Sequence, residues 1–151
     1  MKRSTNTIAL VIALFLTLGV SSSFAATTTP NNEENQVVLA SFHKDFRTAE
    51  VMVVEAKKEY TKVTFKLNNL VLFAFYNENG ELLAVVRNIL SSQLPIQLLM
   101  DLKQNHNNCW ITDLFEINSN GQTNYYVTLE DGDNQTTLRS TSSNNWETYH
   151  R

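Results

Sequence analysis

Apolar side chains recur at helical spacing in the segment that follows residue 31. Four of them fall one, three or four residues apart, which places them on one face of a helix: Val38, Leu39, Phe42 and Phe46. Two glutamates, Glu33 and Glu34, add negative charge to its first turn, where the helix dipole favours it. The pattern predicts a helix of about three turns.

The hydrophobic period then changes to that of β-strands. Residues 49–56 are rich in β-branched side chains, and residues 62–67 alternate lysine or threonine with apolar side chains. Such alternation is typical of a strand with one wet and one buried side. The segments Asn68-Asn69 and Asn77–Gly80 are turn signals, which predict two further strands at residues 71–76 and 82–89.

The same order of elements recurs in the second half of the chain. Ser91 or Ser92 is a candidate helix cap, and Pro95 fits the first turn, where an N–H has no intrahelical partner. Leu98, Leu99, Leu102 and His106 would form the inner helical face. Four strands are expected after this helix, at residues 110–117, 125–129, 136–141 and 146–149.

Offsets of about 60 residues align the two halves, which suggests an internal duplication. The predicted fold class is therefore α+β: a tandem repeat of a helix plus a four-stranded antiparallel meander, with both helices on one face of the sheet. The two repeats would cover about residues 37–90 and 91–151 of a single domain. The other sheet face would be open to solvent, as antiparallel sheets allow.

The first 25 residues predict a signal peptide. Lys2 and Arg3 precede an apolar run from Ile8 to Val20, and small residues lead to a cleavage position after Ala25. The run is too short to favour a permanent membrane anchor. Residues 26–36 are polar and are expected to form a flexible lead-in. A periplasmic or secreted protein is predicted.

The charge and the cysteine content of the chain exclude one class of partner and one kind of cross-link. Without Lys2 and Arg3, ten basic and 15 acidic side chains remain, and the basic ones form no cluster. Binding to a nucleic-acid backbone requires such a cluster, so no nucleic-acid partner is expected. A single cysteine, Cys109, excludes an internal disulfide.

The residues give little support to catalysis, a metal site or a cofactor. Cys109 with His43, His106 or His150 is the one nucleophile–base pair to consider, but no third group is placed to orient it. The Asp131–Asn134 segment lacks the further ligands of a calcium loop, and histidine and cysteine do not occur at zinc-ligand spacing. We therefore predict no catalytic residues, no metal and no cofactor.

From Val37 to Arg151 the chain resembles the periplasmic PepSY-like proteins with a β-lactamase-inhibitor-like fold that occur in Bacteroidetes. The resemblance depends on the signal peptide, the repeated helix-plus-strands plan, the Leu94-Pro95 pair and the segment Phe75–Gly80. It implies a fold and a role in binding or inhibiting other proteins. It does not imply that the target is a β-lactamase.

The predicted function is a non-catalytic module that binds an unknown envelope protein or peptide on the open sheet face. Aromatic residues with a polar end favour such contacts, and basic residues orient a partner. The candidate binding residues are Lys62, Thr64, Lys66, Tyr76, Tyr126, Thr128, Arg139 and Trp146. The alternatives are a small secreted enzyme that uses Cys109 with a histidine, and a small-ligand carrier with a cleft between helix and sheet. Phe65, Phe73, Phe75 and Phe115 are expected in the core.

Overall fold

A computed structural model describes residues 33–132, 134–140 and 144–150. The predicted signal peptide and residues 26–32 of the lead-in lie outside these ranges. The first helix begins inside the expected lead-in, at Glu33. The elements, in chain order, are α1 (Glu33–Asp45), β1 (Glu50–Ala56), β2 (Thr61–Leu67), β3 (Leu70–Tyr76), β4 (Leu82–Asn88), a short 3-10 helix (Ser91–Gln93), α2 (Ile96–Asn105), β5 (Trp110–Ser119), β6 (Gln122–Asp131), β7 (Asn134–Ser140) and β8 (Glu147–Thr148).

The predicted fold class is wrong in its architecture, although the strands and helices lie close to their predicted positions. The chain is not a tandem repeat of a helix plus a four-stranded meander. Instead, the eight strands form one antiparallel sheet in chain order, with two helices. The ladder does not stop after β4, because the Ile89 N–H donates to the Leu114 carbonyl of β5 at 3.0 Å. The recurrence of a helix followed by strands along the sequence therefore did not indicate a tandem repeat.

By its contacts the chain divides into two compact units, with the division between Val85 and Val86. In the first unit, α1 packs its inner face on one side of strands β1–β3. The centre of this core consists of fully buried side chains, namely Val38, Phe42, Val63, Phe65, Ala74 and Tyr76. The Phe42 ring lies 5.0 Å from the Phe65 ring in an edge-to-face arrangement, which suits aromatic quadrupoles.

The turn between β3 and β4 also packs against α1. The Asn77 side-chain oxygen accepts hydrogen bonds from the N–H groups of Asn79 and Glu81, at 3.0 and 2.9 Å, and so shapes the turn. Gly80 has a φ of +75°, and a Cβ at this position would lie 2.6 Å from Ser41 Oγ. The turn therefore approaches the helix so closely that a side chain at this position would force Ser41 or the turn to move.

In the second unit, α2 packs on strands β5–β7 through Leu98 and Leu102. Leu114, Val127 and Leu138 supply the sheet side of this core. Trp146, near the end of the described chain, packs against the same cluster, and its Nε1–H donates to the Leu98 carbonyl at 3.0 Å.

Strand β1 is one edge of the sheet, since it pairs with β2 alone among the described strands. Its register shifts between Val51 and Val53, so that Met52 forms a β-bulge and is 54% exposed. None of the described helices is long and apolar enough to cross a membrane.

Candidate functional site

The side of strands β1–β3 that faces away from α1 carries a surface arranged by strand register. Alternation along β2 turns Val63 and Phe65 toward α1 and Lys62, Thr64 and Lys66 away from it. Cross-strand partners extend this into three rows: Glu55, Lys62 and Phe75; Val53, Thr64 and Phe73; and Glu50, Lys66 and Val71. We call Val53, Lys62, Thr64, Lys66, Val71 and Phe73 the β1–β3 face.

Apolar side chains on this face are accessible, whereas Lys62 is held in place. Val53 is 39% exposed and Val71 is 46% exposed. The Lys62 ammonium pairs with the Glu55 carboxylate at 2.9 Å and lies 5.0 Å from the centre of the Phe73 ring. A cation over an aromatic face is attracted by the ring quadrupole. Lys62 and Phe73 thus form a preorganised pair beside the exposed valines.

Lys66 differs from Lys62 because its side chain is exposed. Glu50 is its cross-strand partner, but among the described residues the Lys66 ammonium forms no ion pair shorter than 4.0 Å. An exposed, unpaired ammonium contributes little to folding but can meet a carboxylate of a partner. The β1–β3 face therefore combines an apolar centre with one fixed and one available positive charge.

Tyr76, a predicted binding residue, lies in the core of the first unit. It is fully buried on the α1 side of β3, and its hydroxyl donates to Asp45 Oδ2 at 3.2 Å. Burial, followed by the neighbouring Asp45 carboxylate, raises the pKa of Tyr76. Its position excludes it from an open face.

Tyr126, Thr128 and Arg139 lie in the second unit, on the sheet side that faces away from α2. The Tyr126 ring is 1% exposed and stacks on Phe115 with a centroid distance of 5.3 Å. Burial raises the pKa of Tyr126 to about 12, while a hydrogen bond and the charge of Arg139 oppose that shift. Arg139 also lies 5.9 Å from the Tyr149 ring centre. These contacts form a closed cluster, in which Tyr126 is not accessible.

The other two predicted residues are also structural. Thr128 is 2% exposed, and its hydroxyl lies 3.5 Å from that of Thr137. Trp146 packs into the α2 core, as described above. Of the eight predicted binding residues, the structure therefore brings Lys62, Thr64 and Lys66 together on one accessible surface.

Sequence reasoning missed Val53, Val71 and Phe73 as parts of this surface. Phe73 was expected in the core but is only half-buried. Phe73 lies on the β1–β3 face because it pairs with Thr64 of β2. Alternation within β3 alone does not show which side of the sheet Phe73 occupies. The sequence pattern did not place Val53 on this face, because regular alternation would turn Val51 and Val53 to the same side of the sheet. The extra residue of the bulge, Met52, turns Val53 to the side opposite Val51.

Tyr60 carries a buried polar atom next to this surface. It is 5% exposed, its ring lies 5.5 Å from that of Phe75, and its hydroxyl has no hydrogen-bond partner among the described residues. Burial, followed by the charges of Glu55 and Glu59, raises the pKa of Tyr60.

Tyr60→Phe is expected to leave the free energy of unfolding unchanged or to raise it by about 1 kcal/mol, because the substitution removes an unsatisfied buried hydroxyl. Tyr76→Phe, the matched control, removes a hydroxyl that is bonded to Asp45 and should cost about 1 kcal/mol. Urea unfolding of both variants measures the difference. A larger loss for Tyr60→Phe than for Tyr76→Phe would contradict this interpretation.

The second unit contains a cavity of about 290 Å³ at the end of α2. Its lining includes Cys109 and His106, so the structure brings together the cysteine and one of the three histidines considered for catalysis. His43 lies on α1 in the first unit, where its ring packs edge-on against Phe42. No aspartate or glutamate lines the cavity, so no carboxylate orients His106 there. Within the described residues, no group of three or more potential metal ligands occurs.

No family model matches the chain, and no curated protein matches it. Several solved structures share its fold. A BLIP-like protein from Bacteroides fragilis superposes with a TM-score of 0.69 at 16% identity, over 82% of this chain and 88% of the other. A DUF2874 family protein from Bacteroides ovatus gives a TM-score of 0.69 at 14% identity, over 82% of this chain and 89% of the other.

A third structure comes from Bacteroides eggerthii and is described, provisionally, as a periplasmic protein. It gives a TM-score of 0.66 at 9% identity, over 81% of this chain and 90% of the other. At these identities the similarity concerns the fold. The resemblance to β-lactamase-inhibitor-like proteins is thus confirmed at the level of the fold, whereas a relation to PepSY proteins stays a prediction. The chain has a BLIP-like fold.

Proposed function

We propose that this protein is an exported, non-catalytic module that binds a protein or peptide on the β1–β3 face. The observation that carries the proposal is the diagonal cross-strand contact between Lys62 and Phe73, beside exposed valines. Aromatic and basic side chains on a rigid sheet are typical of binding surfaces, because their ordering costs little on association. The fold and provisional periplasmic assignment of structural neighbours support an exported binding role.

The chemistry of the face specifies the kind of segment that would bind. An apolar side chain of the partner would cover Val71 and Phe73, and a carboxylate beside it would pair with Lys66. The pair formed by Lys62 and Glu55 is already satisfied, so it contributes shape more than charge. An apolar anchor flanked by an aspartate or glutamate is therefore the expected motif.

The test compares capture of envelope proteins by the wild type with capture by Lys66→Glu/Val71→Ser. Both positions are exposed, so the fold should tolerate the change. The matched control, Lys44→Glu/Leu90→Ser, makes the same charge reversal and a similar apolar-to-serine change at exposed positions outside the β1–β3 face.

We expect a captured partner whose affinity falls at least about tenfold for Lys66→Glu/Val71→Ser and stays within about twofold for the control. Salt should weaken the wild-type interaction, since Lys66 is exposed. If the wild type and the face variant capture the same proteins with equal affinity, the β1–β3 face is not the binding site.

A further inference from the structure

The cavity at the end of α2 is a second site, separate from the β1–β3 face and independent of its proposed function. The second half of α2, the connection to β5 and the first part of β5 line it, together with Ser91 and Leu129. Leu102, Ile111 and Leu129 supply apolar walls, and Lys103 and His106 add polar groups. Leu102 and Leu129 belong to the buried core cluster, whereas Ile111 is 42% exposed. The cavity thus has apolar walls that belong partly to the buried core, and it is partly open to solvent.

The charge of the lining is opposite to that of the whole chain. The chain has 15 acidic and 12 basic side chains, yet the lining contains a lysine and a histidine and no acid. Two carbonyl groups at this helix end are already occupied: that of Leu102 accepts from the His106 N–H at 2.9 Å, and that of His106 accepts from the Cys109 N–H at 3.2 Å. Because these carbonyl groups already accept hydrogen bonds and the lining contains no acid, the Lys103 ammonium is the dominant charge of the lining.

We infer that this cavity binds a small monocarboxylate with an apolar tail. The tail lies against Leu102, Ile111 and Leu129, and the carboxylate pairs with the Lys103 ammonium. At roughly 30 Å³ for each water-sized group, a cavity of 290 Å³ holds about ten non-hydrogen atoms, which is the size of octanoate. The volume lies at the lower end of the range of small-molecule sites.

Three probes with the same tail separate the charge effect from the apolar effect: octanoate, 1-octanol and octylammonium. Each is titrated into the protein, and binding is followed by NMR through the methyl groups of Ile111 and Leu129. We expect octanoate to bind with a Kd of about 1 mM or tighter, 1-octanol more weakly and octylammonium most weakly. Methyl groups of the first unit, such as those of Leu72, should not respond.

Lys103→Gln tests the role of the ammonium, and it should fold because the side chain is exposed. We expect octanoate to bind about threefold to fivefold more weakly, with 1-octanol unchanged. Lys44→Gln, at an exposed position of α1, makes the same change away from the cavity and should alter neither. Equal affinities for the three probes, an unchanged octanoate affinity in Lys103→Gln, or methyl shifts outside the cavity would overturn the inference.

Discussion

Gly80→Ala is expected to lower the free energy of unfolding by about 2–4 kcal/mol. The backbone at Gly80 has a φ of +75°, a left-handed conformation that costs a residue with a side chain about 1–2 kcal/mol. In addition, the new methyl group would lie 2.6 Å from Ser41 Oγ and 3.3 Å from the Val37 carbonyl oxygen. To admit the methyl group, the Ser41 hydroxyl would have to rotate away, and the turn or Val37 would have to shift by a few tenths of an ångström, which loosens the packing of the turn on α1.

Gly121→Ala provides the matched control for Gly80→Ala. Its φ is +73°, but no atom lies within 4 Å of the position of its Cβ. The conformational cost of Gly121→Ala is therefore the same, while the steric cost is absent, and we expect it to lower the free energy of unfolding by about 1–2 kcal/mol. Urea unfolding of the two variants measures the difference. Equal losses would mean that the close approach of Gly80 to α1 does not contribute to stability.

Raising the pH above the ordinary tyrosine pKa is expected to destabilise the fold. Tyr126 titrates at about 12 in the folded protein and near 10 in the unfolded chain. Between these values the unfolded chain loses the proton and the folded protein keeps it, so stability falls as the pH rises. Two pKa units correspond to a loss of about 3 kcal/mol for Tyr126. Tyr76, whose pKa is also raised, adds to the loss.

Urea unfolding between about pH 9 and about pH 12 measures this effect. Below pH 10 the contribution of both tyrosines is fully present, and it is lost progressively above that value. Tyr126→Phe should be less stable at pH 9, because it loses the bond with Arg139, but its stability should fall less steeply above pH 10. The same slope in Tyr126→Phe and the wild type would contradict the assignment of this pH dependence to Tyr126.

Much of the local structure could be predicted from the sequence, because it depends on short-range patterns. The alternation from Lys62 to Leu67 placed β2 within one residue of its observed ends. The helical spacing of Val38 and Phe42 correctly predicted a helix in the segment of α1, although its first residues, from Glu33, were expected to belong to a flexible lead-in. The Asn77–Gly80 segment was correctly predicted as a turn, since asparagine and glycine accept the conformations that turns need.

The arrangement of strands and the accessible residues were less predictable, because both depend on contacts distant in sequence. Continuity from β4 to β5 is set by the hydrogen bond between Ile89 and Leu114, which local pattern does not reveal. Tyr76 and Tyr126 were predicted to be exposed binding residues because tyrosine combines an aromatic ring with a polar hydroxyl. In the structure each is buried and has a hydrogen-bond partner. Whether a tyrosine lies inside or outside is decided by the packing around it.

The bulge at Met52 affects the tendency of the protein to aggregate at high concentration. A free sheet edge invites a strand from another molecule, and repeated addition leads to fibrous aggregates. A strand from another molecule that formed backbone hydrogen bonds with Val53–Ala56 would be out of register with Glu50 and Val51. The reason is that the extra residue, Met52, shifts the backbone donors and acceptors on one side of the bulge relative to those on the other. Met52 therefore opposes edge-to-edge pairing of strands from different molecules. Deletion of Met52 would restore a continuous row of backbone donors and acceptors along the β1 edge.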